Sequence, residues 1–238
     1  MSFLTIETLH VQRVKSIWDE YGHKVTLPTA DSWKFKSADD IWLRVVGQVV
    51  VVGGAEPAKK LKTPSTLERI SWSRLSKMTT GVENEIWGVL REIGARYAGK
   101  SSASCRKTKA ICRNLLVLKK FKDGPIGFMR KISEMESSED KIDFVAQKFS
   151  YIKQKGARDF LTSGFGLVQD RIALDTRVLK ELKQLGIKEL PDKTPGDAEQ
   201  YRAIEEELVT KICSPLGISG AQLDQLLFNL VVYRSNPS

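Results

Sequence analysis

The sequence predicts an all-α fold, and three of its features lead to this prediction. Apolar residues recur every three or four positions along most of the 238-residue chain, as on the buried stripe of a helix. No alternating apolar and polar stretch is long enough to indicate a half-buried strand. Short loops rich in glycine and proline separate the periodic stretches, as is usual for connections in a helical protein.

The first two thirds of the chain contain one ambiguous stretch among clear helical patterns. The clear patterns predict helices over residues 7–21, 67–77, 84–98, 106–121, 126–134 and 141–150. Residues 45–54 are rich in β-branched valine, and propensity alone would favour a buried strand there. A strand needs a pairing partner, and the surrounding patterns are helical, so we predict a buried helix instead.

The last third of the chain predicts four more helices. One spans 156–166 and ends at its glycines, and the next spans 175–186, with Asp175 as N-cap and Gly186 as terminator. The third spans 201–213, where Ile204, Leu208 and Ile212 form one apolar stripe. The fourth follows Gly220, with its leucines at 223, 226, 227 and 230.

The chain is basic, with 38 Lys and Arg against 29 Asp and Glu, a formal charge of +9 and a pI near 9.4. Such a surface attracts polyanions, of which nucleic acid is the commonest. Ribosomal, membrane-surface and thermophilic proteins share this balance, so charge favours a nucleic-acid partner without identifying one. A basic run indicates either a DNA-facing or a solvated helix face, and it comprises Arg106, Lys107, Lys109, Arg113, Lys119, Lys120 and Lys122.

Cysteine and histidine are scarce. The three cysteines form no C-x-x-C pair, and both histidines lie near the N-terminus, so we predict no disulfide framework, zinc site or four-cysteine iron–sulfur cluster. We therefore expect no metal and no cofactor. No apolar stretch approaches the roughly 18 residues of a membrane span, so we expect no membrane association and an intracellular protein.

Two short segments carry a family resemblance. Residues 155–161, Lys-Gly-Ala-Arg-Asp-Phe-Leu, are followed by residues 172–178, Ile-Ala-Leu-Asp-Thr-Arg-Val. In this order they resemble the helix-hairpin-helix (HhH-GPD) DNA glycosylase superfamily, which includes endonuclease III and the 8-oxoguanine glycosylases. There a hairpin leads into a lysine-bearing helix, and an apolar-Asp-Thr segment comes later. Weaker similarities cover residues 39–48, 201–205 and 216–224.

The resemblance implies a two-lobed all-α fold with a cleft between the lobes. Residues 39–155 would form a central helical barrel, and residues 1–38 with 156–238 a second helical domain. In the cleft, Lys155 would attack the sugar of a damaged nucleotide, and Asp175 would stabilise the positive charge that develops there. Asp175 also has an explanation that needs no enzyme, because an N-cap carboxylate accepts backbone N–H bonds.

The hairpin departs from the family pattern. The family has a glycine-rich Leu-Pro-Gly-Val-Gly hairpin, whereas residues 149–154 are Phe-Ser-Tyr-Ile-Lys-Gln and lack both glycines. The hairpin must therefore be rebuilt, with Lys153 supplying charge where backbone amides would serve. Lys153 and Lys155 compete for the nucleophile position. We prefer Lys155 because Gly156 and Ala157 follow it in register; Lys141 and Lys148 are further alternatives.

The resemblance also suggests residues that contact DNA and the damaged base. Expected DNA contacts are Gln48, Lys153, Gly156, Arg158 and Arg177. Phe228 and Trp42 are the expected base pocket, although aromatic residues of this kind more often pack in a core or an interface. Gln48 is as readily a buried, hydrogen-bonded glutamine.

The predicted function is a DNA repair glycosylase that is bifunctional, with Schiff-base lyase activity. Its substrate would be an oxidised purine such as 8-oxoguanine in double-stranded DNA, and the protein would act as a monomer. The alternatives are a monofunctional glycosylase for alkylated bases and a helical DNA-binding protein without catalysis.

Overall fold

A computed structural model describes residues 3–235, and helices carry nearly all of its regular structure. Within these residues the only β-type pairing is one antiparallel bridge between Thr5 and Lys188. In chain order the helices are α1 (Thr8–Tyr21), α2 (Ala38–Val50), α3 (Glu56–Lys60), α4 (Pro64–Ile70), α5 (Trp72–Leu75), α6 (Val82–Glu92), α7 (Arg106–Lys119), α8 (Pro125–Ser133), α9 (Ser138–Lys148), α10 (Gln154–Phe165), α11 (Thr176–Gln184), α12 (Ala198–Leu208), α13 (Ser214–Leu216) and α14 (Gly220–Ser235). The predicted all-α class is confirmed.

The chain forms two compact units. One is Asp31–Phe160, and the other combines the described residues up to Ala30 with those from Leu161 onward. The sequence prediction places these boundaries at 39 and 155. Residues 1–2 and 236–238, which it assigns to the second domain, lie outside the described part of the chain.

Helix α2 forms much of the core of the unit Asp31–Phe160. The Ser37 hydroxyl and the Asp40 carboxylate cap its N-terminus reciprocally, and it packs against α5, α7 and α8. Val45, Val46 and Val49 are fully buried. The predicted buried helix is confirmed as far as Val50, because burial on a helical stripe outweighs the β-propensity of valine.

Some predicted helix boundaries are wrong, and local backbone geometry explains each error. The predicted helix 67–77 is two helices, α4 and α5, because Ser71 is extended and its hydroxyl caps α5 by accepting the N–H of Arg74. Helix α6 ends at Glu92, and Gly94 follows with a φ of 71°. The predicted helix 201–213 is α12 followed by a π-helical turn, Val209–Cys213.

The other unit packs α1, α11, α12 and α14 around one apolar core. Leu182, Leu208 and Leu226 are buried in it, as the leucine stripes predict. Helix α10 ends at Phe165, and Gly166 follows it with a φ of 67°. A Cβ at Gly166 would lie 2.1 Å from the carbonyl oxygen of Pro28, so only glycine fits there.

Candidate functional site

Helices α9 and α10 are joined by a tight hairpin that contains no glycine. Tyr151 adopts the left-handed conformation, with a φ of 67°. The fully buried Asn114 side chain on α7 holds the turn at Ser150: its Oδ1 accepts the Ser150 N–H at 2.7 Å, and its Nδ2 donates to the Ser150 carbonyl at 3.1 Å. A left-handed tyrosine and a buried asparagine thus build a hairpin that the family pattern builds with glycines.

The two candidate nucleophiles lie at the start of α10. Lys153 precedes the helix and is exposed, whereas Lys155 is in its first turn and half-buried. A half-buried amine is better placed than an exposed one to act inside a pocket that excludes water. This difference favours Lys155, the residue that the sequence register also favours.

Arg158 corrects one prediction. Its side chain is fully buried, and its Nη1 donates to the side-chain oxygen of Gln154 while its Nη2 lies 3.7 Å from a carboxylate oxygen of Glu139. The guanidinium group therefore links α10 to α9. The predicted DNA contact is wrong for this residue, because a buried guanidinium presents no surface to a phosphate.

Trp42 corrects a second prediction. Its indole is fully buried, the ring N–H donates to the carbonyl of Ile70 at 2.7 Å, and the edge of the ring meets Trp72 with centroids 6.1 Å apart. A fully buried tryptophan whose N–H is hydrogen-bonded in the core cannot stack on an extruded base. Trp42 is a core residue.

Gln48 connects α2 to α10. Its Nε2 donates to Oδ2 of Asp159, and Nη2 of Arg44 lies 3.2 Å from the same oxygen. A Cβ on Gly156 would lie 3.3 Å from Ile152 and 3.5 Å from Oε1 of Gln48, so the glycine lets the two helices approach closely. Gln48 is thus the buried, hydrogen-bonded glutamine that the sequence left as an alternative, although it also lines a cavity.

This cavity lies between α2, α3 and α10 and has a volume of about 420 Å³. Polar and charged groups line part of it: Asp40, Arg44, Gln48, Lys59, Lys62 and Asp159. Its volume is in the range of ligand pockets, roughly 300–1,000 Å³. Arg44 and Asp159 are not among the residues that the sequence predicted for a site, although their spacing carries a signal. Arg44 lies four residues before Gln48, and Asp159 four residues after Lys155, which places each pair on one helix face.

Asp175 is the N-cap of α11, as predicted. Its Oδ1 accepts the N–H groups of Arg177 at 2.8 Å and Val178 at 2.9 Å. Within the described residues of its unit, no hydrogen bond to Oδ2 is present. The cap therefore uses one of the two carboxylate oxygens.

Two buried side chains of α12 hold the segment that leads to Asp175. The Tyr201 hydroxyl accepts the N–H of Leu174 at 2.6 Å and donates to the carbonyl of Ile172 at 3.0 Å. Oε1 of Glu205 accepts the N–H of Ile172 at 2.7 Å. Residues 201 and 205 are one helical turn apart, so both side chains contact the same extended segment of the chain. They fix the position of Asp175 relative to α12.

Arg177 and Phe228 are brought together in the same unit. The guanidinium carbon of Arg177 lies 4.9 Å from the centroid of the Phe228 ring, a cation–π contact. Arg177 is exposed and Phe228 is half-buried. Their predicted roles at DNA and at the base stay predictions. Lys155 belongs to the unit Asp31–Phe160 and Asp175 to the other, so their convergence on one sugar also stays a prediction.

Two of the three cysteines are poor nucleophiles. Burial raises the pKa of Cys112 to about 11 and that of Cys213 to about 12, so both are protonated thiols at neutral pH. Among residues 3–235, no group of three or more His, Cys, Asp or Glu side chains could hold a metal ion. None of the described helices is long and apolar enough to cross a membrane.

The fold of this chain, all-α with a tight hairpin between α9 and α10, is similar to that of solved 8-oxoguanine DNA glycosylases. Three solved structures are similar to this chain. One is the Methanocaldococcus jannaschii 8-oxoguanine DNA glycosylase, with a TM-score of 0.68 at 15% sequence identity. The match covers 93% of this chain and 92% of that protein's chain. The second is the same organism's 8-oxoguanine glycosylase/lyase in complex with a 15mer DNA containing 8-oxoguanine, with a TM-score of 0.65 at 16% sequence identity. The match covers 96% of this chain and 97% of that protein's chain.

The third similar structure is the 8-oxoguanine DNA glycosylase of Thermotoga maritima, with a TM-score of 0.61 at 20% identity, over 93% of this chain and 88% of the other. No protein-family model and no curated protein matches the sequence. At these identities the structural likeness establishes the fold, and it confirms at the level of the fold the resemblance carried by residues 155–178.

Proposed function

We propose that the protein is a DNA glycosylase that extrudes a damaged base from duplex DNA and cleaves its N-glycosidic bond. The observation that carries this proposal is the helix-hairpin-helix, with the half-buried Lys155 in the first turn of α10. The match to 8-oxoguanine glycosylases over more than nine tenths of the chain supports it. The net charge of +9 suits a polyanionic substrate.

The substrate we infer is an oxidised purine such as 8-oxoguanine in double-stranded DNA. Two of the similar structures are 8-oxoguanine glycosylases from an archaeon and a bacterium, and a third holds DNA with this lesion. Extruding the nucleotide costs a few kcal/mol of unstacking, which contacts to phosphates offset. Lys153, exposed at the hairpin, is the lysine best placed for such a contact.

The proposed mechanism begins with attack of the Lys155 amine on C1′ of the sugar. The nitrogen lone pair forms the new bond as the bond from C1′ to the base breaks, and the base leaves with the bonding pair and takes up a proton. Opening of the sugar ring then gives an imine. Loss of a C2′ proton expels the 3′ phosphate and nicks the strand.

Asp175 has the complementary role in this mechanism. Positive charge develops on the sugar as the glycosidic bond breaks, and an ionised carboxylate close to C1′ stabilises it. Oδ2 is the oxygen for this task, because Oδ1 already accepts two backbone N–H groups. The cap fixes the orientation of the carboxylate, so the structural and catalytic explanations of Asp175 are compatible.

Borohydride trapping on a duplex that contains 8-oxoguanine tests the proposal. Borohydride reduces an imine to a stable amine, so wild-type protein should become covalently linked to the DNA. Lys155→Gln should abolish the adduct, whereas Lys153→Gln should retain it with weaker DNA binding. Asp175→Asn should retain the fold, because asparagine caps helices as well as aspartate, and lower base release about 100-fold or more.

The outcomes also separate the alternatives. An adduct that persists in Lys155→Gln would mean that another lysine is the nucleophile. Base release without any adduct would indicate a monofunctional enzyme that uses water. Tight, salt-dependent binding without release of base from any damaged duplex would refute glycosylase activity and leave a DNA-binding protein, an alternative kept open by the missing hairpin glycines.

A further inference from the structure

We propose that the exposed face of α7 is a binding surface for duplex DNA, on a different side of that helix from the hairpin. The observation that carries this proposal is that the whole net charge of the chain lies in residues 93–122, which comprise α7, the loop before it and the three residues after it. The inference goes beyond the proposed function, because it assigns a DNA surface outside the site and does not depend on base release.

The charge of the chain is distributed very unevenly along the sequence. Of its 38 Lys and Arg, nine lie in residues 93–122, a segment that contains no Asp or Glu. The remaining 29 are matched by the 29 acidic residues, all of which lie outside the segment, so the rest of the chain has a formal charge of zero. A polyanion is therefore attracted to this segment and not to the surface in general.

Eight of these nine cations are exposed, and Lys107 is the buried exception. Among residues 3–235, no ion pair joins any of the eight to a carboxylate. Exposed lysines elsewhere do pair, as Lys15 does with Asp19 at 2.6 Å. The eight unpaired cations are Arg96, Lys100, Arg106, Lys109, Arg113, Lys119, Lys120 and Lys122.

Four of the eight form a line along α7, which we call the basic stripe. Arg106, Lys109 and Arg113 are three and four residues apart, and Lys120, the C-cap, follows seven residues later. At about 100° per residue these four positions fall within an arc of roughly 60° around the helix axis. At a rise of 1.5 Å per residue the stripe is about 21 Å long, over which one strand of B-DNA presents about six phosphates.

The basic stripe and the hairpin are on different sides of α7. Asn114 is buried and holds the hairpin at Ser150, whereas the centre of the stripe is about 110° around the helix axis from Asn114. The apolar side of α7, with Ile111 and Leu118, is buried in the protein. A membrane-surface helix places its apolar face in the bilayer, and α7 has no such face available. A partner of α7 therefore meets charged side chains.

Stability of the fold does not explain the stripe. Arg106 is the first residue of α7, where the positive end of the helix dipole disfavours a cation. Three other helices of the same unit, α2, α6 and α9, have acidic residues in their first turn. A basic residue at this position therefore opposes the local electrostatics of the helix. Binding of an anionic partner gives it a use that folding does not.

Duplex DNA is the polyanion that suits this surface. Half to two-thirds of protein–DNA hydrogen bonds go to phosphate and sugar, and arginine and lysine are prominent donors. Such contacts carry no sequence information, so the stripe would hold undamaged DNA as well as damaged DNA. A protein partner would need an apolar centre to its interface. On α7 the one exposed large apolar residue is Leu116, 58% exposed.

Fluorescence anisotropy with an undamaged duplex, between about 50 and 200 mM salt, tests this inference. Replacing all four stripe residues by glutamine should reduce the magnitude of the slope of log K against log salt by about 3 to 4, because each phosphate contact contributes about 0.9. At about 100 mM salt the affinity should fall more than tenfold. The urea midpoint should not fall, because the first turn of α7 loses an unfavourable cation.

The matched control removes the same number of charges from elsewhere on the surface. It replaces by glutamine four lysines that each pair with a carboxylate, and its slope should stay within about 1 of that of wild type, because such charges release few counterions. The four control lysines are Lys15, Lys34, Lys131 and Lys183.

A crosslinking experiment locates the contact directly. Leu116→Cys, labelled with a thiol-reactive photo-crosslinker, should become linked to the undamaged duplex on irradiation. Leu9→Cys should not, although Leu9 on α1 is exposed to a similar degree, 49%. Wild type treated in the same way gives the background from the native cysteines.

Three results would overturn the inference. One is a wild-type slope in the stripe variant, which would leave an acidic protein segment as the partner of α7. Another is an equal loss of slope in the stripe and control variants, which would mean that net charge governs binding. The third is a reduced slope without a crosslink at residue 116, because the charges would then act at a distance. Failure of wild type to release any damaged base would refute the proposed function alone.

Discussion

Lys107 shows how far the environment of one residue can depart from what its sequence neighbours predict. It lies in the basic run 106–122, whose charges predict a solvated or DNA-facing side chain. The side chain is instead fully buried, and its Nζ donates to the carbonyls of Val50 at 3.0 Å and Val52 at 2.6 Å. A cation at the C-terminus of α2 satisfies carbonyls that the helix leaves without partners.

Burial of this amine predicts a specific pH dependence of stability. Desolvation lowers the pKa of Lys107 in the folded protein below its ordinary value of 10.5. Between the lowered pKa and 10.5 the unfolded chain binds more protons at this site, so its contribution to stability rises with pH in that window. Below the window the folded protein bears the full cost of the buried charge.

The measurement is the unfolding free energy of wild type and Lys107→Met in urea, from neutral pH to about pH 10, just below the ordinary lysine pKa. The difference between the two should move in favour of wild type as pH rises, because methionine has no proton to lose. Other titrating groups are common to both proteins and cancel. A difference that is constant with pH would mean that burial does not perturb this amine.

At the scale of elements, the hairpin between α9 and α10 is built from contacts that are distant in sequence. Asn114 and Ser150 are separated by 36 residues, and their two hydrogen bonds replace the local freedom that glycine would give. Tyr151 still adopts a φ of 67°, which costs an L-residue roughly 1–2 kcal/mol. The turn therefore stores strain that the surrounding contacts maintain.

Replacing Tyr151 by glycine and by alanine measures that strain. Both variants remove the side chain, and only alanine keeps the Cβ that disfavours the left-handed conformation. We expect Tyr151→Gly to be more stable than Tyr151→Ala by about 1 kcal/mol, in the order opposite to that of a helix interior. Urea unfolding of the pair is the measurement. Equal stability, or a more stable alanine variant, would mean that the turn is not left-handed in solution.

Local pattern was sufficient for some of these elements and insufficient for others. The leucine stripes, the Asp175 cap and the buried α2 follow from periodicity and capping chemistry, which operate within one or two helical turns. The break at Ser71 depends on a hydroxyl that caps α5, and helical spacing alone does not reveal it. The hairpin motif was recognisable from Lys155 and Gly156, but the clamp at Asn114 was not, because nothing local marks it.

At the scale of the whole molecule, features that follow from a local sequence pattern were predictable, and features that depend on contacts distant in sequence were not. The fold was predictable because segments 155–161 and 172–178 resemble a known pattern. The Asp159, Gln48 and Arg44 group was not, because it joins residues 111 and 115 positions apart. The predictions for Arg158 and Trp42 failed for a related reason: composition shows that a side chain is charged or aromatic, and only packing shows whether it is buried.

The net charge of +9 predicts how DNA binding by the whole molecule responds to salt. Each phosphate neutralised by a lysine or arginine releases counterions, so log K should fall linearly with log salt with a slope of about −0.9 per contact. Lys153→Gln should reduce the magnitude of that slope by about 1, because Lys153 is exposed at the hairpin. Fluorescence anisotropy with an undamaged duplex between about 50 and 200 mM salt measures it.

A control separates a local contact from a general loss of charge. Lys15→Gln removes one positive charge from α1, where Lys15 is exposed and paired with Asp19. Its slope should equal that of wild type, because a screened charge outside the interface releases no counterion. If both variants reduce the slope equally, net charge alone governs binding and the hairpin holds no phosphate. If neither changes it, the phosphate contacts lie elsewhere, and the exposed lysines of α7 become the next residues to replace.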